Sequence, residues 1–150
     1  MVFNPEAAPA DHLAFMRWFN RQAQESDRRG CDDPSVARQN LHAWFMEVIQ
    51  SFPPYTGPCK ATELPADDAL AADYAISEDA IYAAFAWSKA KDAYEAAFEQ
   101  AARQGLGLFD ASSGTEQVWL PQDGRMVLAH QKSKGTTGLK ESLSRFLKPY

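Results

Sequence analysis

The hydrophobic period of the chain changes at Ser88, within the stretch Asp73 to Ser113. Before it, Ile81, Ala83, Phe85 and Trp87 alternate with Tyr82, Ala84 and Ala86. Period two with both faces apolar reads as a strand over 80–87. After it, Ala90, Ala93, Tyr94, Ala97, Phe98 and Ala101 recur at i, i+3, i+4 and i+7. That is one stripe of an amphipathic helix over 88–104, with Lys91, Asp92, Glu95 and Glu99 facing water. Ser88 is placed to cap this helix, and Gly105 suits its C′ position. Leu106 to Asp110 alternates again and gives another strand, in which Gly107 points to a close backbone approach or a bulge. Tyr74–Ile76 precedes the first strand across Ser77-Glu78-Asp79, which reads as a hairpin. The unit is therefore β-β-α-β. Its helix is expected on the alanine-bearing face of the sheet, with Phe98 and Phe85 buried together and Ala97 at a close contact.

The other segments add layers to this unit. Val2-Phe3 is an extended stub. A helix with Phe15, Trp18 and Phe19 on one side runs from about Pro9 to Glu25. Asp33-Pro34 opens a second helix carrying Leu41, Trp44, Phe45, Val48 and Phe52, which Pro53-Pro54 stops. Residues 53–72 hold four prolines and read as an irregular connection of unusual length. Gln117–Leu120 and Met126–Ala129 flank an Asp123-Gly124 turn signal, which predicts a second hairpin. Leu139, Leu143, Phe146 and Leu147 suit a short terminal helix. The expected fold is a single α+β domain over 1–150: N-terminal helices 9–52, connection 53–72, central unit 73–113, hairpin and helix 114–150. It has an antiparallel-rich sheet of about five strands, with helices packed on one face and two N-terminal helices.

Composition narrows the partners. Twenty acidic against fifteen basic residues give a net charge of −5, which disfavours nucleic acid. Neither a membrane-spanning run nor a signal peptide is evident, so a cytoplasmic location is expected. Cys31 and Cys59 lack metal or redox spacing, and His12, His42 and His130 lie on separate elements, so neither cofactor nor metal is expected. Ser112 lacks a nucleophile-elbow context and reads as a turn serine. Asp73, Glu78, Asp79 and Asp110 flank the strands of one sheet. They are open to three readings: solvated loop ends, a carboxylate pair for acid–base chemistry around Asp73 and Asp110, or an acidic rim for a protein partner. The rim would comprise Asp67, Asp68, Glu78 and Asp79, with Trp119, on a short strand, as an exposed aromatic anchor.

Several stretches carry a family resemblance: FNPEAAP, DDPSVA, LHAWFMEVIQSFPP, DYAISEDAIYAAFAWSKA and GLGLFDASS. Together they resemble a group of small, mostly uncharacterised bacterial proteins. That group shares a VF(N/D)PxAAP opening, an AWF(L/M)ExIxxFPP helix end, a DYxIxxxxIYxxFAWS core and a G(V/L)G(F/L)F(D/N)xS strand. The resemblance covers most of residues 3–121 and implies a common α+β fold. Similar proteins look like immunity or accessory proteins encoded near secreted bacterial toxins. They begin with a YDLxVF strand, here cut to Val2-Phe3, so either the start is short or an edge strand is missing. The favoured expectation is a non-catalytic cytoplasmic binding protein of the immunity type, which binds and neutralises one protein partner, a bacterial toxin; a basic surface on it would suit the acidic balance of the chain. The alternatives are a small-molecule enzyme using Asp73 and Asp110, and a homo-oligomeric protein. The residues leave the partner's identity and the oligomeric state open.

Overall fold

The computed structural model describes residues 1–29, 32–63 and 65–133. The expected terminal helix around Leu139 to Leu147, and Cys31, lie outside the described residues. The elements are β1 (Val2–Phe3), α1 (His12–Arg29), α2 (Gln39–Val48), β2 (Asp73–Ile76), β3 (Ala80–Ala84), α3 (Ala90–Gln104), β4 (Gly107–Phe109), β5 (Val118–Gln122) and β6 (Arg125–His130). Short 3-10 turns occupy Pro34–Val36, Asp68–Leu70 and Trp87–Lys89. The six strands form one sheet in the order β2-β3-β1-β4-β5-β6, antiparallel at every pairing. The fold is α+β, as the change of period implies.

Val2-Phe3 is the surprise. It lies in the middle of the sheet, with Val2 opposite Ile81 on one side and Leu108 on the other. No edge strand is at issue. Two residues are too short a run for period-two patterning to register, so their place is set by tertiary pairing.

Helices cover both faces. Strand alternation sends Phe3, Ala80, Phe109 and Val118 toward Phe15 and Trp18 of α1. Val2, Ile81 and Leu108 point the other way, toward α2 and α3, where Leu41, Trp44, Phe45, Ala93, Ala97 and Ala101 complete the larger core. The helix α3 therefore lies over the Ile81/Ala83/Phe85 face, not over the face of Ala84 and Ala86. Close approach comes from the alanines of the helix itself. Its small face meets α2, where the Trp44 indole donates to the Ala97 carbonyl at 3.0 Å. Phe98 and Phe85 do not meet. Phe85 packs edge-on against Phe52, with ring centroids 5.2 Å apart, while Phe98 packs against Trp119 at 5.5 Å.

Element boundaries shift where a tertiary bond outcompetes a local one. The first helix starts three residues beyond Pro9, because Asp11 supplies the cap: its carboxylate accepts from the Ala14 N–H at 2.9 Å. Asp33 does cap at Pro34, accepting from Ser35 N–H at 2.9 Å, but only for one 3-10 turn. The chain then extends at Ala37-Arg38, since the Arg38 N–H donates to the Glu78 carbonyl instead of a helical one. Ser88 makes no side-chain cap and sits inside a 3-10 turn that precedes α3. At the other end, Gly105 adopts φ +68° and Leu106 N–H reaches back to Ala101 at 2.9 Å, closing α3 in a Schellman arrangement. Asp123 and Gly124 both take positive φ, as a type I′ turn between β5 and β6 requires. The connection 53–72 is pinned at its ends: Ala72 N–H donates to Pro53 O and Tyr55 N–H to Ala72 O.

Candidate binding groove

The central strand is the shortest of the three at the middle of the sheet. Its neighbour β3 continues to Ala84, whereas β4 ends at Phe109, which exchanges backbone hydrogen bonds with Met1. A cavity of about 630 Å³ lies between this part of the sheet and α3. Tyr82 to Phe85 line one wall, Phe109 to Ser112 the other, and Trp44, Tyr94 and Ala97 the floor toward α2 and α3. Its volume lies in the range usual for binding clefts.

Trp87 stands at the mouth of this groove, 83% exposed. The 3-10 turn rotates it off the line that Ile81, Ala83 and Phe85 follow, so the alternation that buried it on paper stops one residue early. Tyr94 sits on the first turns of α3, stacked on Phe98 at 5.7 Å. Burial, and then the Asp110 charge across the groove, push the Tyr94 phenol above its usual range. Lys91 and Glu95 stand on the helix side of the rim, Asp110 and Ser112 on the strand side. Ser112 is a turn residue: its hydroxyl donates to the Asp110 carboxylate at 2.6 Å, and its N–H to the same oxygen at 2.9 Å.

The two carboxylates of the enzyme reading are not brought together. Asp110 borders this groove; Asp73 lies on β2 and lines a separate hollow with Asp32 and Thr56. From β2 to β4 is three strand spacings, about 14 Å.

The acidic residues do not form a single rim either. Asp67 and Asp68 flank the 3-10 turn beside Trp87–Lys89, whereas Glu78 and Asp79 form the hairpin turn at the opposite end of β2 and β3. Three of the four have a cationic partner. Asp67 meets Lys89 at 2.7 Å, and that contact, with the Ala69 N–H, holds its carboxyl below the usual range. Arg38 binds Asp79 at 2.6 Å and approaches Glu78 at 3.6 Å. Asp79 also accepts from the Asn4 amide at 3.3 Å, tying the hairpin to the start of the chain. Trp119 is half-buried with its ring on Phe98, and its Nε1 is buried with no partner among the described residues. It is a packing residue; the exposed tryptophan is Trp87.

One constellation has no signature in the sequence. His12 at the start of α1 and His130 at the end of β6 approach with Nδ1 atoms 2.9 Å apart, and His12 Nε2 lies 3.1 Å from Glu116. Residues 118 positions apart carry no spacing signal. Burial, and next the charge of His12, lower the pKa of His130. Among the described residues there is no group of three or more acidic, histidine or cysteine side chains arranged for a metal ion, and no helix long and apolar enough to cross a membrane.

Compared with known proteins, the chain matches no family model, no curated protein and no solved structure at a significant level.

Proposed function

We propose that this chain is a non-catalytic binding protein, most concretely an immunity-type protein that occludes a toxin, and that the partner docks on the groove at Trp87. One observation carries the docking site: a tryptophan 83% exposed at the mouth of an apolar groove in the middle of the sheet. Leaving so large an apolar ring in water forgoes on the order of 2 kcal/mol of burial, and interfaces recover it. Tryptophan anchors are enriched among binding hot spots, and Lys91, Glu95 and Asp110 would supply a polar rim. The immunity role rests on the sequence resemblance. A cytoplasmic location belongs with that role.

The acidic residues enter this reading only in part. Asp67 and Asp68 lie near Trp87 and can extend the rim, steering a basic partner. Glu78 and Asp79 lie at the far end of the hairpin, where Asp79 ties Arg38 and the Asn4 amide to the turn and Glu78 is largely exposed.

Affinity capture of the product of the adjacent gene tests the proposal. Trp87→Ala is expected to weaken capture by about 30-fold or more, the cost of losing a hot spot of about 2 kcal/mol. Glu78→Ala is expected to leave capture unchanged. Equal capture by wild type and Trp87→Ala would remove the groove from the account. Turnover of a small molecule that Asp110→Asn abolishes, with no protein captured, would favour the enzyme reading instead.

A further inference from the structure

The histidine pair that joins α1 to the β5–β6 hairpin takes no part in the groove. Its geometry is that of a hydrogen bond. The Nδ1 atoms stand 2.9 Å apart and the ring centroids 5.1 Å. The difference is nearly two ring radii, so nitrogens and centroids lie close to one line. A proton shared by the two atoms sits on that line. A metal ion held by both, at about 2.0–2.1 Å from each, would sit beside the line with the rings turned toward it. The neighbours fix the direction of the bond. His12 Nε2 lies 3.1 Å from the Glu116 carboxylate and meets it as an N–H. The Nδ1 of neutral His12 is then the acceptor, and His130 donates. Glu116 itself has φ +48°, in the left-handed region that few residues other than glycine occupy. The end of the hairpin is tied to the same turn, because the Lys132 N–H donates to Thr115 O at 3.1 Å.

We propose that Glu116, His12 and His130 form a one-proton latch that clasps the start of α1 to the end of β6, and that a second proton opens it. Uncharged, the pair holds one N–H···N bond and leaves Nε2 of His130 unprotonated. The first added proton goes to that Nε2, and the bond survives. The second has to occupy Nδ1 of His12, the acceptor. Two N–H groups then face each other at 2.9 Å with no lone pair between them, and the rings part. Histidine is the side chain suited to such a change near neutral pH. The charged groups around the pair are Asp11 on α1, Glu116 on the turn and Lys132 beyond β6, 3.8 Å from Glu116. Asp11 and Glu116 favour the first proton but supply no acceptor between the rings for the second. Burial, and next the charge of His12, lower the pKa of His130, which puts the second step on the acid side of 6.5. The latch holds the first turn of α1. There Asp11 caps the Ala14 N–H, and Phe15 packs on His130 with centroids 5.4 Å apart. Opening frees that turn and uncovers the α1 cluster at Phe15.

Magnetic resonance of the wild-type chain tests this. At pH 7.5 the imidazole nitrogen shifts are expected to show His130 protonated on Nδ1 and His12 on Nε2. Between pH 7.5 and 5.0 the pair is expected to take up its two protons in separate steps. With the second step, the amide protection factors of Phe15 and Met16 are expected to fall by about tenfold or more, while those of Ala97 and Ala101 in α3 hold. His12→Gln and His130→Gln are each expected to abolish that fall, because a lone imidazole takes its proton without a second N–H facing it. A variant that does not fold leaves the decision to the wild-type tautomers and the two-step titration. The proposal is overturned by a neutral His130 protonated on Nε2 at pH 7.5, by uptake of both protons in one step, or by unchanged protection of Phe15 and Met16 at pH 5.0. An equal loss of protection in α3, or a fall that survives in either variant, would overturn it as well.

Discussion

Gly107 shows how one residue positions the central strand. A Cβ added there would lie 2.2 Å from Cζ of Phe3, whose ring is fully buried. The glycine in a strand does mark a close approach, and what approaches is the side chain of β1. Gly107→Ala should therefore push Phe3 out of the α1 core and destabilise by about 1–3 kcal/mol, the usual cost of overpacking. A denaturation midpoint equal to wild type would mean that Phe3 has room to move. Asp79 makes a second point. Read as a solvated turn residue it looks free to change, yet it binds Arg38 and the Asn4 amide. Asp79→Lys should lower the thermal midpoint, whereas Glu78→Ala, whose side chain is 71% exposed, should barely move it. An unchanged midpoint for Asp79→Lys would show that its contacts with Arg38 and Asn4 contribute nothing.

Among the elements, α3 was the most legible and its surroundings the least. Its 3.6-residue period and C-terminal glycine set its extent within two residues. Which sheet face it covers depended on β1, whose two residues show no period. Ala97→Leu should destabilise by about 1–3 kcal/mol, because the residue is 7% exposed and its carbonyl accepts from Trp44. Phe98→Ala should cost less than a fully buried phenylalanine, roughly 1.5–3 kcal/mol, through lost contact with Trp119 and Tyr94. The joint between α1 and β6 brings pH into the account. Folding lowers the pKa of His130 below its ordinary 6.5, so the unfolded chain binds that proton more readily. The contribution to stability is then full above pH 6.5 and declines as pH falls through the lowered value. Asp11 opposes the shift at His130, and Glu116, with Lys132 3.8 Å away, faces His12. Denaturant midpoints at pH 7.5 and 5.5 should differ for the wild type and differ less for His130→Gln. Identical pH dependence in both would place the effect elsewhere.

At the scale of the whole molecule, the elements follow from hydrophobic period and turn chemistry, and the site follows from how they meet. The α+β class, the antiparallel hairpins at Glu78-Asp79 and Asp123-Gly124, and the α3 boundaries were readable because each rests on local rules. The groove was not. It is lined by residues of β3, β4, α2 and α3 together, a property of how the elements meet and of no segment by itself. Trp87 was hidden for a related reason: the alternation that includes it ends in a 3-10 turn. Charge was misleading at a distance, since Asp67 and Asp79 stand at opposite ends of one hairpin and each has found a cation. The central claim, that a protein partner engages the groove at Trp87, is tested most directly by hydrogen exchange of the chain in complex with the product of the adjacent gene. Protection concentrated in residues 82–87 and 109–112 is the predicted result. Protection centred instead on Arg38, Glu78 and Asp79, with residues 82–87 exchanging as in the free chain, would contradict it.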